Sequence, residues 1–141
     1  MSGFLLDTNC ISEITRVQPE PRVLQWFNVA DETLLHLSVL TLGEIRKGIA
    51  GLPQSARRSQ LESWLEVDLQ ARFSGRVLPV SAAIADRWGV LAAESKRKER
   101  PLSVIDGLLA ATALQFNFTI VSRNANDFAD TRVPVVNPWE T

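Results

Sequence analysis

The chain has only one cysteine and one histidine in 141 residues. Cys10 cannot form an internal disulfide framework, and with His36 as its sole companion it cannot build a Cys/His zinc site. The scarcity of cysteine fits a reducing compartment. No apolar run approaches the length of a membrane span. The N-terminus has no basic stretch ahead of its short apolar run, so no signal peptide is expected, and the cytoplasm is the expected location. Charge of one sign is also missing: 15 Lys and Arg oppose 16 Asp and Glu, for a formal net charge of −1. That counts against a protein holding nucleic acid by general electrostatic attraction, and leaves room for a local basic patch. There is no internal repeat and no low-complexity linker.

What is present is an apolar content of 45%, ordinary for a globular chain. The length suits one domain over residues 1–141. Apolar spacing alternates between strand-like and helix-like. Strands are expected over 3–6, 33–38, 77–80, 119–122 and 133–136. Pro79 points to an edge position for the third. Helices are expected over 8–16, from Pro21 along the stripe Val23, Trp26, Phe27 and Ala30, and over 41–49, 53–73, 81–97 and 103–116. The last is apolar on almost every side and should be buried. The alternation implies an α/β three-layer sandwich, with helices on both faces of a central, mainly parallel sheet of four to five strands. In such sheets ligands bind beyond the carboxyl ends of the strands.

Four acids fall near that edge. Asp7 ends the first strand in "GFLLDTNCISE", and Glu44 follows the second in "SVLTLGEI". Asp106 opens the most apolar helix in "PLSVIDGLLAA", and Asp127 follows the fourth strand in "VSRNANDF". Each has a local explanation. Thr41–Glu44 and Ser103–Asp106 have capping-box spacing, Asn124–Asp127 resembles it, and Asp7 suits an N-cap. The alternative is a shared pocket. A carboxylate among Val104, Ile105, Leu108 and Leu109 needs a partner. Several carboxylates at one edge need protons or a cation to neutralise them. Hard oxygen donors without a Cys/His set suit Mg²⁺ or Mn²⁺, ions that act on phosphates by activating water and polarising the phosphoryl oxygen.

The ordered set "LLDTNCIS" (5–12), "SVLTLGEIRKGI" (38–49), "SVIDGLLAATA" (103–113), "VSRNANDF" (121–128) and "NPW" (137–139) resembles the PIN-domain family, in particular the VapC and FitB ribonuclease toxins of bacterial toxin–antitoxin pairs. The likeness covers nearly the whole chain. It implies a Mg²⁺-dependent ribonuclease, with Mn²⁺ as a possible substitute, that leaves a 3′-hydroxyl and a 5′-phosphate. It also implies a homodimer and a small antitoxin partner. Carried over by position, Asp7, Glu44 and Asp106 match metal-binding acids. Asp127 is favoured for the fourth acid position, with Asn124 as a neutral or water-mediated contact. Thr8, Asn9 and Ser122 match polar positions that orient the acids or the attacking water, although turn and cap roles would suit the same residue types.

Arg46–Lys47, Arg57–Arg58 and the "KRKER" run 96–100 read either as phosphate contacts or as solvated helix faces. Arg123, beside Ser122, is the basic residue expected nearest a scissile phosphate. His36 alternates with leucines and reads as structural. The four tryptophans read as core. Rival functions are a structure-specific DNA nuclease with the same metal site and a non-catalytic binding module whose acids only cap helices. A phosphatase using Asp7 as nucleophile lacks the second acid two residues on, where Asn9 stands.

Overall fold

The structure, a computed structural model, describes residues 3–140. Short apolar runs form five strands: β1 (Phe4–Leu6), β2 (Leu35–Ser38), β3 (Val77–Leu78), β4 (Thr119–Val121) and β5 (Val135–Val136). They make one sheet in the order β3-β2-β1-β4-β5, and every pairing is parallel. β1 lies at the centre, with Leu5 opposite His36 on one side and Ile120 on the other. β3 is an edge strand, and it stops at Leu78, short of Pro79.

Successive residues of β1 face opposite layers, as the pleat dictates. Leu6 packs with Cys10, Ile11, Val23, Phe27, Leu35 and Leu37. Those side chains come partly from helices α1 (Thr8–Ile14) and α2 (Pro21–Val29). Helix α3 (Val39–Ala50) adds Ile45 and Ile49 to the same layer. Leu5 packs on the other face with Ile120 and with Leu109, Ala110 and Ala113 of α7 (Val104–Phe116). Each fully buried Leu, Ile or Phe contributes about 1.5–3 kcal/mol.

The expected helix over 53–73 is divided. Helix α4 (Ala56–Ser63) runs into a π-helical stretch, Trp64–Leu69, and ends as α5 (Gln70–Arg72). Leu65 and Leu69 of that stretch are buried in the first layer. Nothing in the local sequence signals the wider turn. Helix α6 (Ala82–Arg97) packs along α7 on the second face. The approach is close at Gly107, where a Cβ would come within 2.8 Å of Trp88 Cδ1. A glycine next to Asp106 therefore sets how near α6 lies to the first turn of α7.

Helix α3 begins at Val39, two residues earlier than the apolar pattern suggests. Ser38 caps it, accepting from the Leu40 N–H at 3.0 Å. The Thr41–Glu44 spacing is therefore not a capping box. Thr41 is fully buried, and Glu44 lies well inside the helix with its carboxylate free for other contacts.

Candidate active site

The site grows from the point where β1 stops. Asp7 has extended backbone angles (φ −74°, ψ 155°), and its N–H continues the β1–β4 ladder by donating to the Val121 carbonyl at 2.9 Å. Its side chain cannot follow the strand, because α1 starts at Thr8. Oδ1 accepts from the Thr8 N–H at 2.8 Å, so Asp7 is the N-cap of α1. Oδ2 accepts from the Ser122 hydroxyl at 2.8 Å and from Asn9 Nδ2 at 3.4 Å. Capping and site-facing roles thus fall on the two oxygens of one carboxylate, which is 8% exposed.

Thr8, Asn9 and Ser122 form the frame around it. The Thr8 hydroxyl donates to Glu44 Oε1 at 2.5 Å, tying the start of α1 to α3. Asn9 Nδ2 also donates to Ser122 Oγ at 3.2 Å, while Asn9 Oδ1 accepts from the Arg123 N–H at 3.2 Å. Ser122 Oγ in turn accepts from the Asn124 N–H at 3.0 Å. Three chain segments, after β1, in α3 and after β4, are locked together by side chains rather than by the sheet alone.

Asp106 enters from α7. Its N–H donates to the Ser103 hydroxyl at 3.1 Å, which caps the helix and fixes the first turn. Its carboxyl is half-buried. Burial raises the proton affinity of Asp106. A hydrogen bond with Ser103 works against this, and the negative fields of Asp127 and Glu44 add to it. Asp7 shows the same pattern. Burial raises its pKa most, the Ser122 and Thr8 hydrogen bonds oppose this, and Asp106 and Glu44 raise it further. The structure therefore brings Asp7, Glu44 and Asp106 within one another's electrostatic reach, with Asp127 near Asp106.

Asp127 is exposed in a 3₁₀ turn, Ala125–Phe128, and borders a cleft of about 160 Å³ that also includes Lys98 and Arg100. Asn124 precedes that turn without capping it through its side chain. Two of the three basic candidates, Arg46 and Arg123, carry their charge to other partners. Arg46 pairs with Glu66 at 2.8 Å and lies 4.0 Å from Glu62. Lys47 is exposed in the last turn of α3. The Arg123 guanidinium lies over Trp139, 5.4 Å from the ring centroid, and its field falls on Glu20 rather than on Asp7 or Asp106. Its backbone sits beside the acids, whereas its side chain follows the C-terminal segment. His36 stacks on Phe118 with ring centroids 4.5 Å apart, and Nδ1 is 2.9 Å from the Leu34 carbonyl, a structural placement.

The donors at the site are carboxylate and hydroxyl oxygens, the chemistry of hard divalent ions. Among the described residues, no three His, Cys, Asp or Glu side chains stand close enough to enclose an ion. The arrangement offers separate carboxylates rather than a ready-made ligand set. It does not suit a closed protein cage.

One buried acid escapes a reading of the sequence. Glu13 is 5% exposed. Its Oε2 accepts from the Glu20 N–H at 2.8 Å and its Oε1 lies 3.3 Å from Arg16, so it staples the loop between α1 and α2. Its neighbours Ile11 and Ile14 give no hint that the acid between them turns inward.

Residues 4–134 match the PIN-domain family. The VapC ribonuclease Y4jK of Sinorhizobium fredii is 33% identical over 137 residues, covering 97% of this chain and 98% of the relative. Toxin FitB of Neisseria gonorrhoeae is 35% identical over 136 residues, covering 96% and 98%. The crystal structure of FitAcB from Neisseria gonorrhoeae superposes with a TM-score of 0.93 at 34% identity, over 98% of this chain and 99% of that one. With a parallel five-stranded sheet, acids at its carboxyl edge and this likeness over nearly its full length, the chain belongs to the PIN-domain family and is VapC/FitB-like.

Proposed function

We propose that the chain is an endoribonuclease toxin that hydrolyses RNA phosphodiesters with the help of Mg²⁺, for which Mn²⁺ can substitute. The observation that carries this reading is the coupling of Asp7, Glu44 and Asp106. They come from three separate elements and share one another's fields, and two of them are pushed towards the protonated form. Such a pocket is relieved by a divalent cation. Asp7 and Asp106 would hold the ion, with Glu44 joining directly or through water. When bound, the ion supplies Lewis-acid activation of water and of the phosphoryl oxygen.

The chain's own residues do the positioning. Ser122 and the Thr8 N–H fix the two oxygens of Asp7, so one rotamer is held before substrate arrives. Thr8 holds Glu44 through a short charge-assisted bond. Ser103 fixes the turn that presents Asp106. Asp127, which is exposed and lies in the field of Asp106, would hold a further water or ion. The products expected from the family likeness are a 3′-hydroxyl and a 5′-phosphate. The relatives named VapC ribonuclease and Toxin FitB support both the activity and a cognate antitoxin partner. A homodimer and a cytoplasmic location complete the proposal. Among the described residues no helix is long and apolar enough to cross a membrane.

The deciding experiment incubates purified protein with total RNA, in Mg²⁺ and in chelator, and maps the cut ends. Cleavage should need the cation and should fall by at least about 100-fold in Asp106→Asn, the scale expected when a group stabilising the transition state is removed. Wild-type cutting by a folded Asp106→Asn protein would sink the assignment.

A further inference from the structure

The "NPW" segment has no part in the acid pocket, yet it is tied to it. Asn137 Nδ2 donates to the Arg123 carbonyl at 3.2 Å, and Asn137 Oδ1 accepts from the Trp139 N–H at 2.9 Å. One side chain therefore clamps the backbone of both residues. Trp139 is 8% exposed, so its ring is a fixed floor. The Arg123 guanidinium lies on that floor at cation–π distance, while the residue as a whole is exposed. The indole thus backs the guanidinium, and the residue that carries it borders solvent. The Arg123 N–H bonds to Asn9, which bonds to Asp7 and Ser122, so this platform begins one residue from the groups that orient Asp7.

The platform borders an open cleft of about 450 Å³ that Glu13, Arg16, Gln18 and Glu20 also line. That volume is in the range of small-molecule sites and has room for one nucleotide. The cleft's acids are already engaged. Glu13 is buried against Arg16, and Glu20 pairs with Arg22 at 2.8 Å. Among the described residues no carboxylate lies within ion-pair distance of Arg123. A planar cation, backed by an indole on an exposed residue, is suited to stack on a nucleobase.

On the ribonuclease reading above, we infer that the guanidinium of Arg123, backed by Trp139, stacks on a base of the RNA strand next to the cleaved phosphate. Arg123 is then a base platform rather than a phosphate contact. Stacking is tolerant of sequence because every base has a π face. Purines, with the larger face, bind more tightly.

The test uses full-length Asp106→Asn protein and a single-stranded RNA oligonucleotide carrying 2-aminopurine at successive positions. Its fluorescence is quenched where the base stacks. Quenching is expected at one position. Adding Arg123→Ala or Arg123→Lys should abolish that quench and weaken binding by about 5- to 150-fold, the equivalent of about 1–3 kcal/mol per stacked base. The lysine variant is decisive, because it keeps the charge and loses the plane. Retention of both quench and affinity in Arg123→Lys makes the residue a phosphate contact and overturns the inference. Unchanged RNA affinity in Arg123→Ala also overturns it, and points to a protein segment as the cleft's occupant. If wild-type protein cuts RNA but no position is quenched, only the platform fails. If it neither binds nor cuts RNA, the parent reading fails with it.

Discussion

Asp106 stands among three groups of its own sign, Asp7, Glu44 and Asp127, and is held there by its helix cap. Both Asp106 and Asp7 keep their protons to higher pH in the folded chain than an ordinary carboxyl, chiefly through burial. Between the ordinary carboxyl range, about 3.9, and those raised values, the folded state binds more protons than the unfolded chain. Stability from these groups is therefore greatest below that window and falls as pH rises through it. Asp106→Asn should accordingly melt higher than wild type at neutral pH without metal, by about 2–4 °C for each kcal/mol of repulsion relieved. The gap should close below about pH 4. Calorimetry across pH checks this, and a variant that melts lower at neutral pH contradicts it. The placement of these acids was partly legible in the sequence, because strand exits and apolar surroundings mark them. Asp7 caps its helix and also lies within the fields of Asp106 and Glu44, so a cap role and a place in the acid cluster are not alternatives. Thr41–Glu44 misled because Ser38, not Thr41, caps a helix that starts at Val39, and the burial of Ser38 carries no local signature. The side-chain directions of Arg46 and Arg123 were illegible, since each is set by a partner distant in the chain.

At the scale of elements, the approach of α6 to α7 governs how Asp106 is presented. Gly107→Ala should force Trp88 away and cost about 1–3 kcal/mol, the usual penalty of overpacking. Urea denaturation measures the loss, and cleavage of RNA should fall with it as the first turn of α7 shifts. An alanine that leaves stability unchanged would show that Trp88 yields freely. Ordinary helices were readable here from Ser caps and apolar stripes: Ser81 and Ser103 stand where α6 and α7 begin. The π-helical stretch was not, because Leu65 and Leu69 are four residues apart and satisfy an α-helical pattern equally well. Strand ends were blurred for a related reason. β3 and β5 are two residues long and fade into loops at the sheet's edges.

For the whole molecule, the alternation of strand and helix was enough to give a parallel sheet covered on both faces. The order of the strands comes from right-handed crossovers and from which apolar faces need covering. A cation that binds only the folded chain stabilises all of it. Mn²⁺ at 100 times its dissociation constant should add about 2.7 kcal/mol. The effect should weaken as the pH falls and the acids take up protons. A thermal-shift titration with Mn²⁺, using Asp7→Asn as control, would show no stabilisation if the acids only cap helices.

Cys10 lies fully buried directly behind this site, and its thiol donates to the Val121 carbonyl at 3.2 Å. Burial pushes the thiol well above the usual cysteine range, so it is inert in the closed protein. A maleimide can reach it only when the seam between the central strand and its neighbour parts. Labelling rate is thus a built-in gauge of how often the floor beneath the acids opens. Cation binding should slow it, giving a clock for the resting protein that needs no RNA.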